Sequence, residues 1–404
     1  MTDTTFRAAG YSWRMYCGAK VIEQYLKEAA DRAGAKRAFV ICSRSVNRRT
    51  DTVRRLETVL GGRYAGVYDG IEKDSTYASV KAATEAAREA GADLLVAVGG
   101  GSVIVAARAV AIFLAEPGDP FAIMTQYPEG KSAYSPRLLA PKPPIINIPT
   151  TPNSAVNRAG TGLKNPALDH RMEYFDPKTR PQAIFLDEDA LQTAPPGLIR
   201  STATTVFAGL VGSMSQLGIN ALAEGDRNHA FHLAYRAYPR LMDELDNPAL
   251  RIDLALAAFL QNRAEDDGVR RIRGGAFSGS YAVSTALHVR YPHVGQGEST
   301  SVVHAPKIRL SDAIDARSAH QVAEALQVWR DGMDVRTAAL AVADMLEALY
   351  SRVGVATRLR QLQIPRDDLA GIAKETVKNF NANAGMRSPD QQVEDAIRLL
   401  EAAY

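Results

Sequence analysis

The sequence predicts an α/β domain over residues 1–195 followed by an all-α domain over residues 196–404. Three observations predict this. A chain of 404 residues exceeds the size at which a single hydrophobic core keeps growing. From residue 20 to about 115, short and nearly continuous apolar segments alternate with amphipathic helical patterns, the signature of a parallel sheet wound with right-handed crossovers. After the Pro195–Pro196 pair the periodicity becomes helical and strand signals nearly vanish.

Taken in order, residues 21–34 repeat their apolar positions at helical spacing, and 38–42 (AFVIC) form a short buried-strand run. Residues 50–61 read as a helix, 64–70 as a strand and 77–91 as a helix. A strand over 93–98 then runs through three glycines into a helix ending near 115. A loop rich in Pro and Tyr spans 117–143, a strand follows at 143–149, and a polar loop rich in Thr, Ser and Asn occupies 150–162. Residues 183–191 read as one more strand. In the second half, helices are expected over 197–218, 229–245, 250–266, 337–354 and 390–404, and 288–306 reads as partly irregular.

Composition excludes several classes. Apolar residues make up 46% and charged residues 23%, as in an ordinary globular protein. The net charge of +3 arises from 48 basic and 45 acidic residues mixed along the chain, with no block suited to tracking a phosphate backbone, so a nucleic acid partner is not expected. Cys17 and Cys42 fit neither a disulfide framework nor a zinc-ligand spacing, and a reducing, cytoplasmic setting is expected. The first twenty residues have no apolar leader core, and no later stretch reaches about 18 uninterrupted apolar residues, so neither export nor membrane insertion is expected.

Gly99, Gly100, Gly101 and Ser102 lie between the strand at 93–98 and a helix. Consecutive glycines let backbone N–H groups approach a pyrophosphate, and the following helix N-terminus adds favourable partial charge. Pro149, Thr150 and Thr151 also follow a strand directly, and their hydroxyls suit the same ligand. Taken singly, each motif is equally an ordinary tight turn. In order and spacing, however, the GGGS turn, the PTT loop, Pro181, Ala183, Ile184 and Asp187 of a P-x-x-A-I-x-x-D segment and the C-terminal stretch from Val353 resemble the iron-containing alcohol dehydrogenase and maleylacetate reductase superfamily, with its dehydroquinate synthase-like fold. The resemblance covers nearly the whole chain. It implies a Rossmann-like dinucleotide-binding first domain, a helical second domain and an active site in the cleft between them, with NADP or NAD on the GGGS turn and Thr150 and Thr151 beside it.

Several positions depart from that pattern. The family binds a divalent metal through an Asp and a His one helical turn apart and two later His. Here the corresponding positions hold Phe207, Val211, Ser284 and either Gln296 or Gly297, with Met214 where the family has Glu. None of these is a competent ligand set for Zn²⁺ or Fe²⁺, so no metal is expected. After GGGS, Val105 replaces the family's Asp and Arg108 its Lys. At the end of the strand 38–42, where many relatives place an Asp, the chain has Ser43 and Arg44, with Arg48 and Arg49 nearby, which favours a 2′-phosphate and hence NADP. A solvated basic loop is the competing reading of those arginines.

The expected chemistry is a metal-independent, NAD(P)-dependent interconversion of an alcohol and a carbonyl. His288 aligns with a family His near the nicotinamide and is expected to act as general acid/base or to orient the substrate oxygen. Arg158, which follows the PTT loop, or Arg290 is expected to bind a substrate carboxylate in place of the metal, and Tyr291 or Tyr281 to donate a proton. Two alternatives remain open: a biosynthetic dehydrogenase that oxidises a hydroxyl on a larger, peptide-like substrate with a partner protein, and an inactive family member that serves as a binding or scaffold subunit. The resemblance also implies a homo-oligomer.

Overall fold

The computed structural model describes residues 5–8, 10–128, 131, 133–168, 170–266, 275–377 and 388–404. They form two compact units, one spanning Tyr11–Pro195 and the other Pro196–Tyr404 together with the residues before Tyr11.

The first unit runs β1 (Arg14–Gly18), α1 (Val21–Arg32), β2 (Ala38–Cys42), α2 (Arg44–Arg49), α3 (Thr52–Leu60), β3 (Tyr64–Tyr68), α4 (Tyr77–Glu89), β4 (Leu94–Gly99), α5 (Gly101–Ala115), α6 (Pro120–Ile123), β5 (Ile145–Pro149), β6 (Gly160–Leu163), β7 (Met172–Phe175), β8 (Ala183–Asp187) and α7 (Glu188–Gln192). Six strands form one sheet in the order β1-β8-β5-β4-β2-β3, with every pairing parallel. Both faces are covered, which is why the central strands read as unbroken apolar runs. Val40, Cys42, Val96, Val98 and Phe185 face the side of α1 and α3, whereas Phe39, Ile41, Leu95 and Ala97 face α4 and α5. The two sets alternate along each strand, as the pleat requires.

The edge strand β1 escapes a search for apolar runs because its sequence, RMYCG, is buried at no position and carries a charge at its start. Tyr16 fixes it by stacking on Phe185 of β8, with centroids 4.7 Å apart. The polar loop after β5 holds β6, which pairs with β7 as a short antiparallel hairpin, although glycines and charged residues mask both strands. The segment read as one strand over 183–191 divides at Asp187, whose carboxylate accepts the Ala190 N–H at 3.0 Å and so starts α7.

The second unit runs α8 (Pro196–Met214), α9 (Ala221–Ala237), α10 (Pro248–Asp266), α11 (Tyr281–Arg290), α12 (Gln296–Leu310), α13 (Ala316–Ala325), α14 (Val335–Arg352), α15 (Leu369–Glu375) and α16 (Pro389–Ala402). α8 is buried along most of its length, packed by α9, α10, α12 and α13, so it is apolar nearly all round rather than on one stripe. The stretch 288–306 is more regular than its sequence suggests, being the end of α11, a short turn and most of α12. α12 lacks an apolar stripe because its hydroxyl residues bond to the preceding turn: Ser299 and Thr300 donate to the Gln296 carbonyl at 3.0 and 2.8 Å, and Ser301 to that of Glu298 at 3.1 Å. Among the described residues no helix is long and apolar enough to cross a membrane.

Candidate functional site

The strand order reverses between β2 and β4, parallel neighbours that β3 separates in sequence. In open α/β sheets ligands bind outside the carboxyl ends of the strands at such a switch point. Three adjacent strands, β2, β4 and β5, end there with Ser43, the GGGS turn and the PTT loop respectively.

The GGGS and PTT segments are brought together. The Thr150 N–H donates to the Gly99 carbonyl at 3.0 Å. Gly99 has φ 156°, and a Cβ there would stand 2.7 Å from Val103 Cγ2. A Cβ on Gly100 would meet Thr151 Oγ1 at 3.4 Å, and one on Gly101 would meet Asn153 Cβ at 3.8 Å. Thr151 Oγ1 is buried against this turn and has no hydrogen-bond partner among the described residues. Gly100 is the N-cap of α5 and offers no side-chain cap to the first N–H groups of that helix. A bare backbone cradle at a helix N-terminus beside an orphaned hydroxyl fits the phosphates of a dinucleotide. Ser102 faces another way: its Oγ accepts the Asp74 N–H at 3.1 Å and its carbonyl accepts the Ser75 hydroxyl at 2.6 Å, which pins the 69–76 loop to the start of α5. Sequence reading missed this loop, where Asp74 and Ser75 both adopt left-handed φ.

Ser43 occupies the N-cap position of α2 without a side-chain cap bond, and its Oγ lies 3.0 Å from that of Ser45. Arg44, Arg48 and Arg49 follow on α2. A carboxylate invisible to local reading joins them: Asp69, just after β3, accepts from Asn47 at 3.0 Å and stands 3.8 Å from Arg48. The cluster is therefore three cations with one anion.

Arg158 ends the PTT loop, where its Nε donates to the Ser154 carbonyl at 2.8 Å. It is half-buried, and its charge acts on Arg108 of α5.

In the helical unit, His288 is buried on α11, and its Nδ1 donates to the Ser284 carbonyl one turn back at 2.8 Å. That bond leaves Nε2 as the acceptor nitrogen of the neutral ring. Ser284 belongs to a hydroxyl cluster, its Oγ lying 2.8 Å from that of Ser299 and 3.0 Å from Thr300 Oγ1. Tyr291 donates to Asp368, which also takes two bonds of 2.6 Å from Arg290. Arg290 holds the Asp368 carboxyl below the usual carboxylate range, while burial and Asp368 raise the Tyr291 phenol. This network ties the end of α11 to the turn before α15, so the structure gives Tyr291 a fastening role that its sequence position did not disclose.

The positions that the resemblance assigns to metal ligands hold side chains that do not fit a metal. Phe207 is fully buried and stacks on Tyr238 with centroids 4.6 Å apart and planes 9° from parallel. Val211 is equally buried. A Cβ on Gly297 would overlap the Ser201 backbone, leaving no room for an imidazole there without movement of α8. Ser201 fills that corner, donating to Glu298 at 2.6 Å and accepting the Gly297 N–H at 3.0 Å. Among the described residues no three His, Cys, Asp or Glu side chains converge.

The iron-containing alcohol dehydrogenase family matches residues 13–188, and the C-terminal part of the Fe-containing alcohol dehydrogenase family matches residues 223–404. The chain is 23% identical to lactaldehyde reductase of Escherichia coli strain K12 over 346 residues, 84% of each protein. Over 114 residues, 28% of this chain and 31% of the relative, it is 40% identical to maleylacetate reductase 2 of Cupriavidus pinatubonensis. The solved alcohol dehydrogenase of Oenococcus oeni has the same fold, with a TM-score of 0.83 at 18% identity over 99% of this chain and 100% of that one. Members of the family use NAD(P). With both halves matched, the chain belongs to the iron-containing alcohol dehydrogenase superfamily and is an alcohol dehydrogenase/reductase-like enzyme.

Proposed function

We propose that the chain is a metal-independent, NAD(P)-dependent oxidoreductase that interconverts an alcohol and a carbonyl. The observation that carries this reading is a contrast: the backbone cradle at Gly99–Gly101 stands beside the orphaned Thr151 hydroxyl, while the metal positions are packed with Phe207 on Tyr238 and with Val211. The nicotinamide cofactor supplies or accepts the hydride.

The chain's own residues do the rest. Backbone N–H groups at Gly100, Gly101 and Ser102 hold the phosphates, and Thr150 and Thr151 border them. Ser43 opens the adenosine end to a 2′-phosphate that Arg44 and its neighbours neutralise, favouring NADP over NAD. His288, whose Nδ1 donates to the Ser284 carbonyl, exchanges a proton with the substrate oxygen through its imidazole. Arg158 donates hydrogen bonds to developing negative charge, the task a Lewis acid performs elsewhere. Tyr291, engaged by Asp368, is left out of the proton path.

The test is turnover of a panel of aldehydes and 2-oxo acids with NADPH before and after exhaustive chelation. Undiminished rates are expected. Activity that disappears on chelation and returns only with Fe²⁺ or Zn²⁺ would overturn metal independence.

A further inference from the structure

Arg108 lies in the middle of α5, on the helix that packs against β6 and the turn at Pro177–Thr179. It is 1% exposed, and neither Nε nor Nη1 has a hydrogen-bond acceptor among the described residues. Among the described residues, other deeply buried cations each have at least one acceptor. The buried Lys142 ammonium meets Glu116 at 2.6 Å and Asp176 at 3.0 Å. Arg227 donates to the Gln216 carbonyl at 2.7 Å and Arg251 to that of Leu245 at 3.0 Å. Arg108 instead has more positive charge for company: burial, then Arg158, with Arg180 adding to it, pushes its pKa down to about 9. A guanidinium in this position needs an acceptor, and a buried polar group left without one points to a missing ion or water. Neighbouring positive charge selects an anion over water.

We propose that Arg108, with Arg158 and Arg180 beside it, is the binding site for a small oxyanion, a carboxylate or phosphate group carried by a ligand. The planar fork of a guanidinium matches either group through two parallel N–H bonds. Arg158 and Arg180 are half-buried, so the cluster grades from the closed interior at Arg108 towards solvent. Arg158 also ends the loop that starts at Thr150, which ties the anion to the side of the sheet that bears the GGGS turn. The site itself stands on Arg108; only the choice between a substrate carboxylate and a cofactor phosphate rests on the oxidoreductase reading.

The test is thermal unfolding of the full chain in millimolar succinate or inorganic phosphate, against sodium chloride at equal ionic strength, for the wild type and Arg108→Met. The wild type is expected to gain several degrees with an oxyanion and not with chloride. Arg108→Met, which removes an unpaired buried charge, should melt no lower than the wild type without added oxyanion and should lose the oxyanion response. Should it fail to fold, Arg180→Gln serves instead, with apparent binding about tenfold weaker. A succinate response that persists in saturating NADPH assigns the site to a substrate carboxylate, and a phosphate response that NADPH abolishes assigns it to the cofactor. No oxyanion-specific gain in the wild type, or an equal gain in Arg108→Met, overturns the proposal. NADPH binding is read separately from nicotinamide fluorescence, so loss of either reading is distinguishable from loss of the other.

Discussion

His304 shows how much one buried side chain can dictate. Its Nε2 donates to the Phe277 carbonyl at 2.8 Å, and its Nδ1 accepts the Tyr350 hydroxyl at 2.7 Å, so the ring is held neutral between a donor and an acceptor. Burial pushes its pKa down to about 4 from 6.5. The folded state resists protonation, so this contribution to stability is fully present above pH 6.5 and is lost as the pH falls through 4. Linkage makes it roughly 3 kcal/mol. Urea unfolding at neutral and acid pH should show that loss in the wild type and a smaller one in His304→Gln, whose amide serves both partners; equal acid sensitivity would place the effect elsewhere. In the sequence, His304 falls in the stretch 288–306 that reads as partly irregular, and nothing local singles it out. The contacts that define it come from Phe277 and Tyr350, 27 and 46 residues away, and local patterns do not register such partners. Asp69 and Asp368 escaped for the same reason, whereas Gly99–Ser102 and Thr150–Thr151 were legible because their context, strand then turn, is itself local.

Among the elements, strand–turn–helix units carry the functional claims. In the β4–α5 turn, Gly99 combines a φ that L side chains rarely adopt with a Val103 methyl 2.7 Å from any added Cβ. Gly99→Ala should therefore strain the turn by about 1–3 kcal/mol and weaken NADPH binding at least in proportion, as fluorescence titration would read. Unchanged affinity would remove the turn from the cofactor site. Asp187, at the end of β8, is a structural hub. It accepts from the α7 N-terminus, from Ile22 N–H of α1 at 3.4 Å and from Arg55 of α3 through two bonds of 3.1 Å. Asp187→Ala strands the Arg55 guanidinium and should cost about 3–5 kcal/mol in chemical denaturation; a cost below ~1 kcal/mol would show that Glu23, also bonded to Arg55, suffices. Central strands and long amphipathic helices could be read from their periods. β1, β6 and α12 could not, because an edge strand, a glycine-rich hairpin and a hydroxyl-rich helix each lack the apolar repeat on which such reading depends.

At the scale of the whole molecule, the family relationship and the fold agree along both halves of the chain, yet the two halves differ in what they retain. The α/β unit keeps the turn, loop and helix N-terminus that a dinucleotide requires. In the helical unit, the positions that the resemblance assigns to metal ligands are filled by an aromatic stack, an aliphatic side chain and a close helix–helix contact at Gly297. Protein reactivity would then rest on His288 and on cationic hydrogen-bond donors.

Fluorescence titration of NADPH and NADH into purified protein, with divalent metal determined on the same sample, tests this division most directly. The account predicts stoichiometric binding, tighter for NADPH, in protein that holds far less than one metal ion per chain. Binding of neither nucleotide would contradict it and leave a binding subunit as the reading of this chain, and one tightly held Fe²⁺ or Zn²⁺ per chain would contradict its metal-free chemistry.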